Sequence, residues 1–269
     1  MKSEWCVLMG KSNHFSIYCG IIFLLIIAVS CKGSNLTITS FGAVIRADTT
    51  EKNIAIVFTG DEFADGSDFI ANTLKEEKIE ASFFLTGNFY RNKEFGPAIK
   101  KLIENSNYLG SHSDKHLLYC DWTKRDSLLV TREEFLKDIQ DSYTELKKFG
   151  ITSLQAHYFL PPYEWYNDSI ATWTRLLGLQ LVNFTPGTGS NADYSYPEMG
   201  KRYVDSKTIY NSILTFEHES SGGLNGFILL VHIGTDPRRT DKFYFYLPSL
   251  IKELKDRGYK FVRVDKLLD

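Results

Sequence analysis

The sequence predicts an α/β fold built on a largely parallel sheet, open or closed into a barrel. Two observations carry this. From residue 53 onward, short β-branched and aromatic runs alternate with longer helical stretches, the alternation expected of parallel sheets. No repeat, low-complexity block or linker interrupts it, so a single domain is expected. The strands are read at 54–58, 81–85, 108–110, 158–160, 180–184, 227–231 and 260–264. Helices are placed near 67–78, 95–105, 131–148, 168–177, 206–218 and 241–256. In the third, Phe135, Ile139, Tyr143 and Leu146 fall on one face with charges elsewhere, which is amphipathic helical spacing. Gly150 and Gly258 stand where helix C-caps are expected.

Composition narrows the function classes. Of 269 residues, 43% are hydrophobic, 14% aromatic and 24% charged, with a net charge of −2, which argues against disorder and a multi-span membrane protein. A pI near 6.3 gives no basic footprint, so no nucleic-acid partner is expected. Residues 1–30 read as an export signal: Lys2 and Lys11, then the apolar run from Ile21 to Val29, too short to span a bilayer. Met9 is an alternative start. Ala28-Val29-Ser30-Cys31 resembles a loose lipobox with Cys31 lipidated; the alternatives are an ordinary cleaved signal or a short anchor. The expected product is an exported lipoprotein of the bacterial envelope, held to the membrane through Cys31, with residues 31–50 as tether and 51–269 as domain. Cys120 then has no disulfide partner and reads as a small buried apolar residue.

Reactive groups in such folds collect in the loops after the strands. The first of these loops holds Asp61, Glu62 and Asp65; the third holds His112 and His116; the fourth runs Pro161-Pro162-Tyr163-Glu164-Trp165-Tyr166; the sixth strand ends on His232. His112 and His116 are four apart and share a face if the segment turns helical. Two imidazoles and a nearby carboxylate make a divalent-metal site with room for water. Zinc is foremost, and cobalt, nickel or manganese also suit such ligands. With His232 as proton donor, this points to hydrolysis. Tyr163, Trp165 and Tyr166, with Glu164 among them, offer aromatic faces that suit stacking on sugar rings, the alternative being core filler. Arg238-Arg239 reads as a solvated loop.

Together these segments resemble the polysaccharide deacetylases of carbohydrate esterase family 4, the NodB homology domain, over about residues 53 to 266. His112-Ser113-Asp114-Lys115-His116 matches its His-Ser/Thr-x-x-His motif, Phe159-Leu160-Pro161-Pro162-Tyr163 resembles its Arg-Pro-Pro-Tyr segment, and Leu229-Leu230-Val231-His232 resembles its last motif. The segment 78–87 looks like the family's second-strand region. The resemblance implies a distorted (β/α)7 barrel and metal-dependent removal of acetyl groups from an acetylated polysaccharide or oligosaccharide. It assigns His112 and His116 to the metal and His232 to the acid.

The departures are equally specific. Where the family has Thr-Phe-Asp-Asp-Gly, this chain has Thr59 and Gly60 at the two Asp positions. A one-residue slip makes Asp61 the metal ligand and leaves Glu62 or Asp65 as base, with Glu164 a further candidate. Leu160 replaces the Arg that orients the base. The tuning segment before the last motif is likewise not clearly recognisable around Asn183–Asp193. A non-catalytic carbohydrate-binding lipoprotein on a decayed scaffold is therefore the alternative, and a hydrolase acting on other non-peptide bonds a third.

Overall fold

The structure, a computed structural model, describes residues 37–269. The expected leader, Cys31 and the first tether residues lie outside that range. Among the described residues no helix is long and apolar enough to cross a membrane.

An antiparallel hairpin, β1 (Ile38–Ser40) and β2 (Ala43–Arg46), precedes the α/β succession. Then follow β3 (Asn53–Gly60), α1 (Ser67–Glu76), β4 (Ser82–Leu85), α2 (Gly87–Arg91), α3 (Gly96–Glu104) and β5 (Tyr108–Ser111). The second half comprises α4 (Arg132–Lys147), β6 (Tyr158–Phe159), α5 (Asp168–Leu176), β7 (Gln180–Leu181), α6 (Ser206–Glu219) and β8 (Phe227–His232). It ends with α7 (Leu247–Asp256), β9 (Lys260–Phe261) and α8 (Val264–Leu268). All seven expected strands and all six expected helices are present. The hairpin and the five-residue α2 and α8 were not anticipated.

The strands β8-β3-β4-β5-β6-β7 pair in parallel in that order. β9 pairs with β3 at Asn53 and Ile54, below Val57 where pairing with β4 begins. The sheet curls into a distorted barrel, and β2 fills the gap between β7 and β8. Arg46 pairs with Phe227 on one side, while Val44 bridges Val182 on the other. Thr185 stitches the seam, donating its N–H to Ile228 and its hydroxyl to Ile45. Part of the stretch expected as tether is thus a stave of the barrel. Its strands are too short and too exposed to show a period of two.

β3 and β8 are buried along almost their whole length, as expected where helices cover one face and the barrel interior the other. Phe58 stacks on Phe83 across β3 and β4 at 4.8 Å between centroids. The helices carry explicit starts: a capping box joins Thr131 and Glu134 at α4, and Asn167 and Asp205 cap α5 and α6. Cys120 is buried and free, as expected.

Arg239 corrects the reading of 238–239 as a solvated loop. Arg238 is exposed and paired with Asp236, but Arg239 is fully buried. Its guanidinium donates to the carbonyls of Ser195, Val204 and Asp241 and to the Ser206 hydroxyl. It ties the loop that follows β8 to the loop that precedes α6. Replacing it with Met leaves those acceptors unpaired, so Arg239→Met is expected to lower stability by roughly 3 kcal/mol. Urea denaturation of the variant checks this.

Candidate active site

The parallel register sets the site. Gly60, Leu85, Ser111 and Phe159 form one paired row across β3, β4, β5 and β6. The next residues along, Asp61, Thr86, His112 and Leu160, therefore emerge side by side at the rim. Thr86 Oγ1 donates to Asp61 at 2.6 Å, and His112 Nδ1 donates to the Leu160 carbonyl at 2.8 Å. The second bond fixes the His112 tautomer and leaves Nε2 directed elsewhere, as in metal-ligating histidines. Leu160 thus serves the site through its backbone, although its side chain is not the family's Arg.

His112 and His116 face each other at 5.0 Å between ring centroids. The connection between them is a loop and not the helix expected from their spacing. Ser113 and His116 take left-handed φ values of 75° and 54°, which fold the chain back. The Ser113 hydroxyl accepts the His116 N–H, and Asp138 accepts that of Lys115. α2 grips the same loop: the N–H groups of Gly87 and Asn88 bond the carbonyls of Ser113 and Asp114, and Arg91 pairs with buried Asp114 at 2.6 Å. A Cβ on Gly87 would lie 1.9 Å from an Asp114 oxygen, so this approach requires glycine.

The cleft beside the pair, of about 340 Å³, is lined by Thr59, Asp61, Glu62, His112, His116, Tyr163 and His232 among others. Burial pushes both His112 and His116 below the ordinary histidine range, His112 further; Asp61 partly offsets this at His116. Neutral imidazoles are the form that binds metal. Asp61 Oδ1 is held by Thr86 and Asn88, and among the described residues no three His, Cys, Asp or Glu side chains are gathered into a closed ligand set. The donor types present, two neutral imidazoles and a carboxylate on one cleft, nevertheless suit a divalent ion. Position 60 cannot supply the carboxylate, because a Cβ there would sit 2.5 Å from Ile233 Cγ2. That supports the slip to Asp61.

His232 ends β8 opposite Thr59. Its Nδ1 donates to Asp193 at 2.6 Å, and the other Asp193 oxygen accepts the His232 backbone N–H at 2.9 Å. Burial alone would lower the His232 pKa, but the charge and hydrogen bond of Asp193, helped by Glu164, raise it above the ordinary value. Asp193 is the residue that sequence reading missed. It sits in a short 3-10 turn, Ser190–Tyr194, where no periodic signal marks it.

Of the three carboxylates after β3, Asp65 is not among the cleft-lining residues. It accepts from the Thr235 N–H and Tyr244 hydroxyl and pairs with Lys242 at 3.0 Å, which ties two loops together. The base assignment to Asp65 is therefore not supported, and Glu62, exposed in the cleft, remains. Thr59, where the family has its base Asp, is buried with an unpartnered hydroxyl. Tyr163 packs at a tilt against His116, with ring centroids 4.3 Å apart. Tyr163 and Glu164 hold φ values of 59° and 54°, an uncommon pair of left-handed residues. Asn183 holds them by donating to the Glu164 carbonyl. Glu164 and Trp165 line a neighbouring cavity that shares Tyr163 with the cleft. Burial pushes the Glu164 carboxyl up to about 7.

Residues 46–182 match the sequence pattern of the polysaccharide deacetylase family. The chain belongs to that family. It is 24% identical over 240 residues to a peptidoglycan-N-acetylmuramic acid deacetylase of Bacillus subtilis, covering 88% of this chain and 79% of the relative. It is 25% identical over 218 residues to a peptidoglycan-N-acetylglucosamine deacetylase of Bacillus cereus, covering 81% and 89%. Among solved structures, a carbohydrate esterase family 4 pseudoenzyme of Bacillus anthracis shares the fold at a TM-score of 0.65 and 18% identity, over 86% of this chain and 70% of that one.

The grip of α2 on the histidine loop yields a test. Gly87→Ala must displace Asp114 or α2, and overpacking of this kind costs roughly 1–3 kcal/mol. The expected outcome is a lower unfolding midpoint in urea, together with an altered His116 resonance in NMR spectra.

Proposed function

We propose that this polysaccharide deacetylase-like protein is an active, exported, metal-dependent enzyme that removes acetyl groups from cell-wall glycan. The observation that carries the reading is the His232–Asp193 pair. A buried carboxylate bonded twice to the histidine at the strand end favours the charged form of that imidazole and orients it, which is what proton donation to a leaving group requires. The substrates named for the bacterial relatives support peptidoglycan as the glycan. Membrane attachment through a lipid on Cys31 completes the proposal.

His112, His116 and Asp61 would hold the divalent ion, with zinc foremost. Such an ion supplies Lewis acidity toward the acetyl carbonyl and toward water. The chain's own groups do the rest. Glu62, on the cleft wall, takes the proton from the attacking water. His232 gives its proton to the sugar nitrogen, or oxygen, as the bond to the acetyl carbon breaks, and acetate departs. Tyr163 packs against His116 and walls the cleft beside the sugar. Asp193 holds the His232 ring so that Nε2 faces the cleft.

One observation favours a second reading, a glycan binder without turnover. Thr59 and Gly60 replace the family's two Asp residues, and a pseudoenzyme shares the fold. Acetate release from acetylated peptidoglycan fragments by the metal-loaded protein separates the two readings.

If the proposal holds, His232→Ala lowers turnover by about 10²–10⁴. Glu62→Gln does likewise, while Glu164→Gln leaves a larger residual rate; the reverse order would assign the base to Glu164. Loss of both His112 and His116 should abolish metal retention measured by elemental analysis.

The pH dependence has a definite sign. The acid works protonated, so turnover falls as pH rises through the His232 pKa, which lies above the ordinary 6.5. Asp193 and Glu164 raise that pKa; burial and Arg239 lower it. Asp193→Asn removes the largest raising contribution, so the alkaline limb of the rate profile should move to lower pH. An unmoved limb would take His232 out of the acid role.

A further inference from the structure

Asn167 Nδ2 donates to the Arg125 backbone carbonyl, but the Arg125 side chain is held by stacking alone. Its guanidinium carbon lies 3.5 Å from the Trp165 ring centroid and 4.2 Å from that of Phe41. Among the described residues its Nε is buried without a hydrogen-bond partner, and its side chain joins no ion pair. It lines the cavity of about 260 Å³ next to the cleft, with Glu164, Trp165, Asn183 and Asn191 also on the wall. A row of rings links the two spaces. His116 meets Tyr163 at 4.3 Å, Tyr163 meets Trp122 at 5.6 Å, and Trp122 meets Trp165 at 5.5 Å, beyond which Arg125 stacks. Trp122 and Tyr163 are 53% and 44% exposed, an unusual display of large aromatics beside a cleft.

Rings covering the faces of a guanidinium leave its N–H edge as the reactive part. A fixed, unpartnered fork of this kind matches the two oxygens of a planar carboxylate. The rings between Arg125 and the histidines suit pyranose faces. Glu164 on the same wall disfavours a dianion such as phosphate. We propose that this cavity is a subsite for a carboxylate borne on a sugar ring neighbouring the acetylated one, its two oxygens taken by Arg125. The proposal rests on the deacetylase reading only for what happens in the adjoining cleft.

Binding tests it without turnover. The exported form of the chain carrying His232→Ala is titrated by calorimetry, first with three probes and then with a fourth. The first three are chitotetraose, a peptide-free tetrasaccharide alternating N-acetylglucosamine with N-acetylmuramic acid, and the methyl ester of the latter. The free acid should bind about tenfold more tightly than its ester, as one charge-assisted contact allows. Arg125→Gln should erase that difference while leaving chitotetraose within about twofold. Equal binding of acid and ester would overturn the proposal without recourse to any Arg125 variant. So would equal weakening of all three probes by Arg125→Gln, which would make the stack structural. A glycan whose sugar carboxylate is amidated to a stem peptide is the last probe; tight binding of it, equal to the free acid, would overturn the assignment to the sugar. In the metal-loaded chain with His232 intact, acetate release without acid preference in binding sinks this subsite alone, and acid preference without acetate release sinks the deacetylase reading alone.

Discussion

The parallel register from β8 through β6 is the constraint on which the molecule depends. Residues at one level of a parallel sheet leave the strands together, so the rim inherits whatever side chains follow the paired row. Here that row is Gly60, Leu85, Ser111 and Phe159, with His232 opposite Thr59 one level below. A slip of one residue in β3 would turn Asp61 away from Thr86 and bury Glu62 against the helices. The tight packing at Gly60, where no side chain fits against Ile233 and Leu85, opposes such a slip.

What the register delivers, strained loops finish. Four of the seven non-glycine residues with positive φ among the described residues are Ser113, His116, Tyr163 and Glu164. Each departs from the comfortable backbone by on the order of 1–2 kcal/mol. The compensation is local and visible. Arg91 and the N-terminus of α2 clamp the histidine loop through Asp114, and Asn183 clamps the aromatic loop through the Glu164 carbonyl. Strain concentrated on both sides of one cleft, and restrained there, is the expected signature of a site that holds its groups in advance of a ligand.

Much of this was legible in the sequence, for a physical reason. Parallel strands buried on both faces leave unbroken apolar runs such as 54–58 and 227–231, and long helices leave a period. The β1–β2 hairpin leaves neither, because Ile38–Ser40 is largely exposed and β2 pairs with β8 at one residue pair only. The histidine pair was visible as a motif, yet its closure depends on backbone reversals at Ser113 and His116 that no side-chain period reports. Asp193 stands 39 residues before His232 in an irregular turn, and its role exists only once β8 is beside it. The carboxylates after β3 could not be ranked from sequence, since the difference between Asp61 and Asp65 is made by Thr86 on one side and Lys242 on the other. Arg239 misled for the same reason: apart from Asp241, its acceptors Ser195, Val204 and Ser206 stand more than thirty residues away.

The pattern of loss and retention at the rim bears on mechanism. An Asp base and the Arg that orients it form a charge pair near a dry cleft, and deleting either one alone leaves the other uncompensated. Both are absent here: Thr59 is neutral, and Leu160 is apolar and buried. The His232–Asp193 pair, proposed as the acid, shows the opposite pattern. Asp193 is 2% exposed, and a buried carboxylate is expensive to keep unless its partner gains by it. Its two bonds to His232 are the gain, and they orient that imidazole at the cleft, as the proposed acid role requires. A scaffold drifting toward mere sugar binding would have little to hold that buried charge, whereas an enzyme that has moved its base to Glu62 would still need it.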